Sequence, residues 1–445
     1  MSHYDHDTLS RFGLDPELVD DPEAVAAHLA ACETCGAYFE VVKEIDDALR
    51  DPGVWEQVDH LLTPSKRLEQ ALALRDAIEA EDADAHRRLD PLLASPLRFR
   101  SANITTNPKL LTAGAVRVLC AEANKRHEKR PLFSVEIATA AFAIARALPK
   151  TPGSRRRFSI AIALREIANA QRYLGRFKDA LEALSYAEKL FDETPAADPH
   201  DIAIVQYIRA TALMDSEHLA EAISEAEKCL PVFDEYGDQP RELGALMTQA
   251  CCLHYSGQIV EAAETYERLI ARARSSENVS ILARGLSNAA TAYTELSMLD
   301  RAECYYTEAM VLYEDLGIVT EKARTSWALA SVLVKRGDLE TGEERLDAAR
   351  RELQRFGLQN DHGLATLEWA EVRLARGITD GIAAACRDMV VRFESEGMMK
   401  NARLALAYVH EALARGTATP ALVRHVRLYL EGLPSNPNAA FVPVQ

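Results

Sequence analysis

Apolar residues along this chain recur at intervals of three and four, the spacing of one face of an α-helix. Tyr38, Val41, Val42, Ile45 and Leu49 form one such row, which stops before Asp51-Pro52. Thr63-Pro64-Ser65 opens a second row with Leu68, Leu72 and Ile78. Beyond residue 110 a longer period appears. Ala168, Gly175, Phe177 and Ala180 define a motif that returns as Ala210, Leu219 and Ala222, then as Ala250, Gly257, Ile259 and Ala262. Ala290, Leu299 and Ala302 follow, then Ala330, Gly337, Leu339 and Gly342, and a weaker copy begins at Ala370 and Gly377. The closing small residue moves from 180 to 222, 262, 302 and 342, steps of 42, 40, 40 and 40. Each copy reads as two helices: alanines let them approach closely and the glycine ends the first. Gly237-Asp238, Ser275-Ser276, Gly317, Gly357 and Gly397 supply the return turns. The expected fold is therefore all-α, with a solenoid of helix pairs over residues 110–432. A degenerate pair over Leu110–Leu148 starts the array, a pair over Ala402–Leu430 caps it, and residues 433–445 read as a loose tail.

Composition agrees with this pattern. Hydrophobic residues make up 48% of the 445, while Gly (20) and Pro (18) are scarce, so a large helical core is expected and wholesale disorder is excluded. The helix pairs resemble tetratricopeptide repeats (TPRs), with helices longer than those of the usual unit of about 34 residues. That resemblance implies a groove lined by the first helix of each pair, open to a peptide or protein. Arg165, Asn169, Arg172, Tyr207, Met247, Arg284, Asn288, Arg324 and Trp327 would face it. Arg165 with Asn169 four residues later has the spacing to grip a peptide carboxylate.

Charge changes the picture at the N-terminus. The chain carries a net −17, which argues against a surface built to hold nucleic acid phosphates. Residues 1–60 hold 15 acidic and 3 basic side chains, a net −12, leaving only −5 for the rest. Such a segment suits a basic partner surface, because complementary potentials steer encounter. Residues 1–60 are thus set apart as a domain of their own, with 61–109 as a helical connector. No apolar run reaches the ~18 residues of a membrane span, and Met1–Asp7 is acidic and polar, unlike a signal peptide. A cytoplasmic protein without membrane contact is expected.

The acidic segment also contains a metal-ligand pattern. His28, Cys32 and Cys35 stand in an H-x3-C-x2-C spacing. At about 100° per residue the three would converge within about 60° of one helical face, as one tetrahedral zinc ion requires. Asp21 as N-cap and Pro22 in the first turn supply the start of that helix. A closed structural site needs a fourth ligand from elsewhere. His6 is the first choice, carried by a short helix whose Leu9 and Phe12 pack inward; His3 is the alternative, and Asp5 or Asp7 remain open.

An upstream histidine, His28-Leu-x2-Cys32-x2-Cys35 and then an amphipathic helix resemble the zinc-binding anti-sigma factor domain of bacteria, over roughly residues 3–50. The resemblance implies that His6, His28, Cys32 and Cys35 hold a structural zinc ion, and that the domain clamps a sigma factor. The chain departs from that pattern in two ways: it has two cysteines where oxidant-sensing members have three, and no transmembrane helix follows. A zinc-dependent regulator of transcription with an array that receives a peptide or protein signal is the resulting expectation. The alternatives are a TPR scaffold with a purely structural zinc segment, or a peptide-sensing TPR regulator. No Gly-rich phosphate loop, G-x-S-x-G elbow or H-E-x-x-H helix occurs, so no enzymatic activity is expected. Cys120, Cys229, Cys251, Cys252, Cys304 and Cys386 read as small core residues.

Overall fold

In the computed structural model of the chain, the described residues are 3–4, 8–9, 11–12, 19, 21–50, 66–94, 104, 106–150, 155–194, 198–276, 278–387, 400–433, 436 and 439–443. The side chains of 33, 44–50, 66–71 and 400–403 lie outside that set, which takes in Ile45, Leu49 and Leu68 of the apolar rows. Gly397 lies outside it as well. Among the described residues all regular structure is helical.

The chain divides into two compact units, Met1–Asp84 and Ala85–Gln445. The first contains α1 (Pro22–Ala31), α2 (Glu33–Arg50) and most of α3 (Lys66–Leu93). The division falls inside α3, whose last turns place Ala85, Leu89 and Leu93 in the core of the second unit. Sequence reading put this whole helix in a connector, because nothing in its periodicity marks where one core ends and the next begins.

The second unit is the array. Its pairs are α4 (Ala113–Asn124) with α5 (Pro131–Ala147), α6 (Arg156–Tyr173) with α7 (Phe177–Asp192), and α8 (Pro199–Asp215) with α9 (Leu219–Glu235). Then come α10 (Gln239–Tyr255) with α11 (Ile259–Arg274), α12 (Val279–Glu295) with α13 (Leu299–Asp315), and α14 (Val319–Arg336) with α15 (Leu339–Arg355). After α16 (Gln359–Ala375), the helices α17 (Lys400–Ala414) and α18 (Pro420–Gly432) close the array, with α18 packed against α16. From α4 to α16 each helix packs on the next in sequence, and the first helices of successive pairs also touch one another. The first helices therefore form a continuous inner layer, as the repeat pattern required.

The motif residues do what their spacing implied. Ala168, Ala180, Ala210, Ala222, Ala250, Ala262, Ala290, Ala302 and Ala330 are all fully buried at the helix crossings. Gly342 takes the alanine position in its copy, where an added Cβ would lie 2.6 Å from Val334 Cγ2. From α6 to α16 the turn after each first helix is a Schellman closure, with an N–H reaching back five residues: Gln258 to the Leu253 carbonyl at 2.9 Å, Met298 to that of Tyr293 at 2.8 Å. Gly257 sits there at φ +80°, and the two copies that lack the glycine hold Glu217 at φ +65° and Ser297 at φ +59°. The hydrogen-bonding requirement of the turn outweighs the steric preference of those two side chains.

Two sequence expectations need correction. Residues 439–442 are not a loose tail: Phe441 is buried beside Tyr408, His425 and Tyr429, Tyr429 Oη donates to the Ala439 carbonyl at 2.8 Å, and His425 Nε2 lies 2.8 Å from the Val442 carbonyl. One aromatic residue at the right distance from α18 is enough to fold the segment back. Nor are all six array cysteines in the core. Cys120, Cys229, Cys252 and Cys386 are buried, Cys251 is half-buried and Cys304 is exposed on α13. Burial pushes the thiols of Cys229, Cys252 and Cys386 up to about 12, so they stay protonated and pack as small apolar groups.

Candidate metal centre and groove

The first unit begins as predicted. Asp21 Oδ1 accepts the Ala24 N–H at 3.0 Å and Pro22 fills the first helical position. The helix then stops early: α1 ends at Ala31, and Cys32 takes an extended conformation (φ −117°, ψ 105°) before α2 starts at Glu33. His28, Cys32 and Cys35 are therefore not on one helical face, as the sequence suggested. They converge through a kink held by two main-chain bonds, Cys32 N–H to the His28 carbonyl at 2.8 Å and Gly36 N–H to the Cys32 carbonyl at 2.9 Å. Gly36 permits the sharp angle, since a Cβ there would stand 3.1 Å from the Leu29 carbonyl oxygen. Leu9, Val25 and Cys35 are buried together, with Tyr4, Phe12 and Tyr38 packed around them, so Leu9 and Phe12 do turn inward.

The ligand atoms of His3, His28, Cys32 and Cys35 all lie within 4.8 Å of one another. His3 Nδ1 stands 3.3 Å from Cys32 Sγ and 3.4 Å from Cys35 Sγ. Tetrahedral bonds of about 2.0–2.3 Å to nitrogen and sulfur imply ligand–ligand edges of roughly 3.3–3.8 Å, so these separations fit a single zinc ion. His28 supplies an independent indication. Its Nε2 is buried with no hydrogen-bond partner among the described residues, while the ring meets Tyr4 edge-on at 5.0 Å. The Cys35 N–H, pointing at Cys32 Sγ, holds that thiol below its ordinary value, whereas burial raises Cys35. The donor set fits zinc, which would cross-link the segment at His3, α1 and α2. The first-choice fourth ligand, His6, lies outside the described residues; among the described residues the fourth member of the cluster is His3, the alternative.

In the second unit the predicted groove residues lie on the first helices, and most are already engaged. Arg165 donates through Nη1 to Asp201 at 2.9 Å and through Nε to Glu166 at 3.1 Å. Arg172 reaches Asp215 at 2.8 Å, and its Nε donates to Asn169 Oδ1 at 3.3 Å, so Asn169 partners Arg172 and not Arg165. Arg324 binds Asp361 and Glu321, each at 2.7 Å, and Trp327 Nε1 donates to Glu368 at 2.6 Å. Asn288 Nδ2 turns toward Met247 Sδ at 3.5 Å, and Tyr207 packs its hydroxyl against Gly244. Arg284 is exposed and has no acceptor among the described residues.

The partners of these side chains stand one repeat away: 36 residues for Arg165–Asp201, 43 for Arg172–Asp215, 37 for Arg324–Asp361, 41 for Trp327–Glu368. This ladder of cross-repeat pairs went unrecognised in the sequence, although a search for basic and acidic residues one period apart would have found it. Glu166 was missed too. Buried in α6, it accepts from His127 Nε2 at 3.0 Å, Asn124 Nδ2 at 3.2 Å and Arg165. Burial raises its carboxyl, but these donors outweigh that and hold it below the usual carboxylate range.

The sequence matches no protein-family model and no curated protein. Its fold does have solved counterparts. The apo form of RapI aligns over 62% of this chain and 97% of its own, with a TM-score of 0.50 at 13% identity. The apo quorum sensor NprR from B. thuringiensis aligns over 72% of this chain and 88% of its own, TM-score 0.53 at 17% identity. A Signal Transduction ATPase with Numerous Domains protein with a tetratricopeptide repeat sensor, from Pyrococcus horikoshii, aligns over 98% of this chain and 64% of its own, TM-score 0.55 at 14% identity. The array is thus a TPR-like α-solenoid. Among the described residues no helix is long and apolar enough to cross a membrane.

Proposed function

We propose that this chain is a regulatory protein-interaction protein, in which a zinc-held N-terminal unit captures a sigma factor and the TPR-like array receives a peptide or protein signal. The observation that carries the first half is the convergence of His3, His28, Cys32 and Cys35, with His28 Nε2 buried and unpartnered. The H-x3-C-x2-C spacing with an upstream histidine is shared with zinc-binding anti-sigma domains. A net −12 over residues 1–60 complements a basic partner. Two of the structural neighbours are named as sensors, a quorum sensor and a TPR sensor, which favours signal reception by the array. The role is one of binding, not catalysis.

The test is transcription in vitro with the host's RNA polymerase and its individual sigma factors. The zinc-loaded full-length protein should block one of them, and the Cys32→Ser/Cys35→Ser variant should not. Unimpeded transcription with every sigma factor would leave the second reading, a peptide-sensing TPR regulator whose metal site only holds its own segment folded.

A further inference from the structure

The four residues of the metal cluster do not come from one piece of chain. His28, Cys32 and Cys35 belong to a single short stretch, 28–35, whereas His3 is exposed and stands 29 positions before Cys32. A ligand on a separate segment has to be held in place, since ordering each backbone residue costs roughly 1–2 kcal/mol.

Its neighbour Tyr4 makes the contacts that can hold it. The half-buried Tyr4 side chain packs against Leu9, Val25 and Cys35, and its ring meets that of His28 at 87° with centroids 5.0 Å apart. The main chain contributes as well. Cys32 Sγ is served from its own turn, by the N–H groups of Cys35 and Thr34. Burial raises the Cys35 thiol, and the amide that opposes this is the Tyr4 N–H, pointing at Cys35 Sγ. Tyr4 therefore touches two of the other three ligands, one through its ring and one through its backbone.

The nitrogen that His3 presents explains why the backbone comes so close. His3 turns Nδ1 toward Cys32 Sγ and Cys35 Sγ, at 3.3 and 3.4 Å. Nδ1 lies nearer to Cβ than Nε2 does, so a histidine that ligates through it must bring its own main chain up to the metal. The Tyr4 N–H on Cys35 Sγ, one residue along, does this. His28 offers the other nitrogen, Nε2, buried and without a partner among the described residues. Packing against the Tyr4 ring fixes that imidazole plane without supplying a competing acceptor.

We propose that Tyr4 is a positioning residue of the metal centre, a latch that fastens the His3 segment onto the stretch 28–35 and so closes the coordination shell. Without its ring, His28, Cys32 and Cys35 would hold the metal with the fourth position open to water. The latch deepens the metal-binding half of the proposed function and rests on it.

The experiment uses the full-length protein, with zinc affinity read by competition against a chromophoric chelator and a Co(II)-substituted sample read by its absorption spectrum. Tyr4→Ala should weaken zinc binding by about tenfold or more. It should also dim the d–d bands of tetrahedral Co(II), while the thiolate-to-metal charge-transfer band from Cys32 and Cys35 remains. Because the latch uses the ring and the main-chain N–H, not the hydroxyl, Tyr4→Phe should match the wild type in both. Phe12 belongs to the same apolar cluster, but its ring pairs with Phe39 and not with a ligand ring. Phe12→Ala should therefore leave the d–d bands intact, whatever it costs in stability. Wild-type affinity and spectrum in Tyr4→Ala, loss of its charge-transfer band, equal dimming by Phe12→Ala, or failure of Tyr4→Phe to match the wild type would each overturn the latch while leaving the metal centre. No zinc bound by the wild type would overturn both.

Discussion

Replacing Glu166 by Gln tests the polar junction that opens the array. In the wild type, Glu166 Oε2 accepts from His127 Nε2 at 3.0 Å and Asn124 Nδ2 at 3.2 Å, while Oε1 accepts from Arg165 Nε at 3.1 Å. A glutamine has the same shape but one acceptor end and one donor end. Whichever way it turns, a donor of the junction meets an N–H in a site that is 97% shielded, for Glu166 is 3% exposed. Hydrogen bonds to a charged group are worth about 1.5–3 kcal/mol each, and breaking one side of a buried ionic network costs roughly 3–5 kcal/mol. The expected loss is therefore about 3 kcal/mol, and it should be local, since each repeat is stabilised mainly by its neighbours. Urea unfolding followed by circular dichroism gives the size; hydrogen exchange of α4, α5 and α6 gives the place. The difference also has a pH signature. The folded-state pKa of Glu166 is depressed, so its contribution is fully present above the unfolded carboxylate value of about 4.3 and is lost as pH falls through the folded value. Wild type and variant should thus converge in acid. A variant within about 0.5 kcal/mol of wild type at pH 7, with unchanged protection in α4 and α6, would refute the reasoning.

Other positions give sharper local tests. Ser297→Gly and Glu217→Gly should each raise stability by about 0.5–1 kcal/mol in thermal unfolding, because both side chains are held at positive φ; Gly257→Ala should lower it by a similar amount. Phe441→Ala should cost about 2–3 kcal/mol and free the C-terminal segment to proteolysis, since the ring is 7% exposed. His3→Ala should lower the zinc content measured by mass spectrometry, as should Cys35→Ser.

The array was legible because its signal is redundant. Six copies of one motif, each with buried small residues at the crossings, leave a single way to stack the helices. The cross-repeat pairs were not, because Arg165 and Asp201 are 36 residues apart and nothing local to either names the other. The same holds for Glu166, whose environment is assembled from two helices and a turn. At the N-terminus the ligand types could be read from spacing, but the kink at Cys32 could not. Cys32 is not a helix breaker; the break follows from Gly36 and the packing of Leu9, Val25 and Cys35.

The central claim is that a metal-held unit captures a protein partner. Affinity purification of the full-length protein from its own host, beside the Cys32→Ser/Cys35→Ser variant, tests it most directly, with zinc quantified and co-purifying proteins identified in both. The account predicts about one zinc per chain and a bound sigma factor in the wild type, both lost together in the variant. Zinc lost with the same partners retained in both samples would contradict it, and would place the function in the repeats alone.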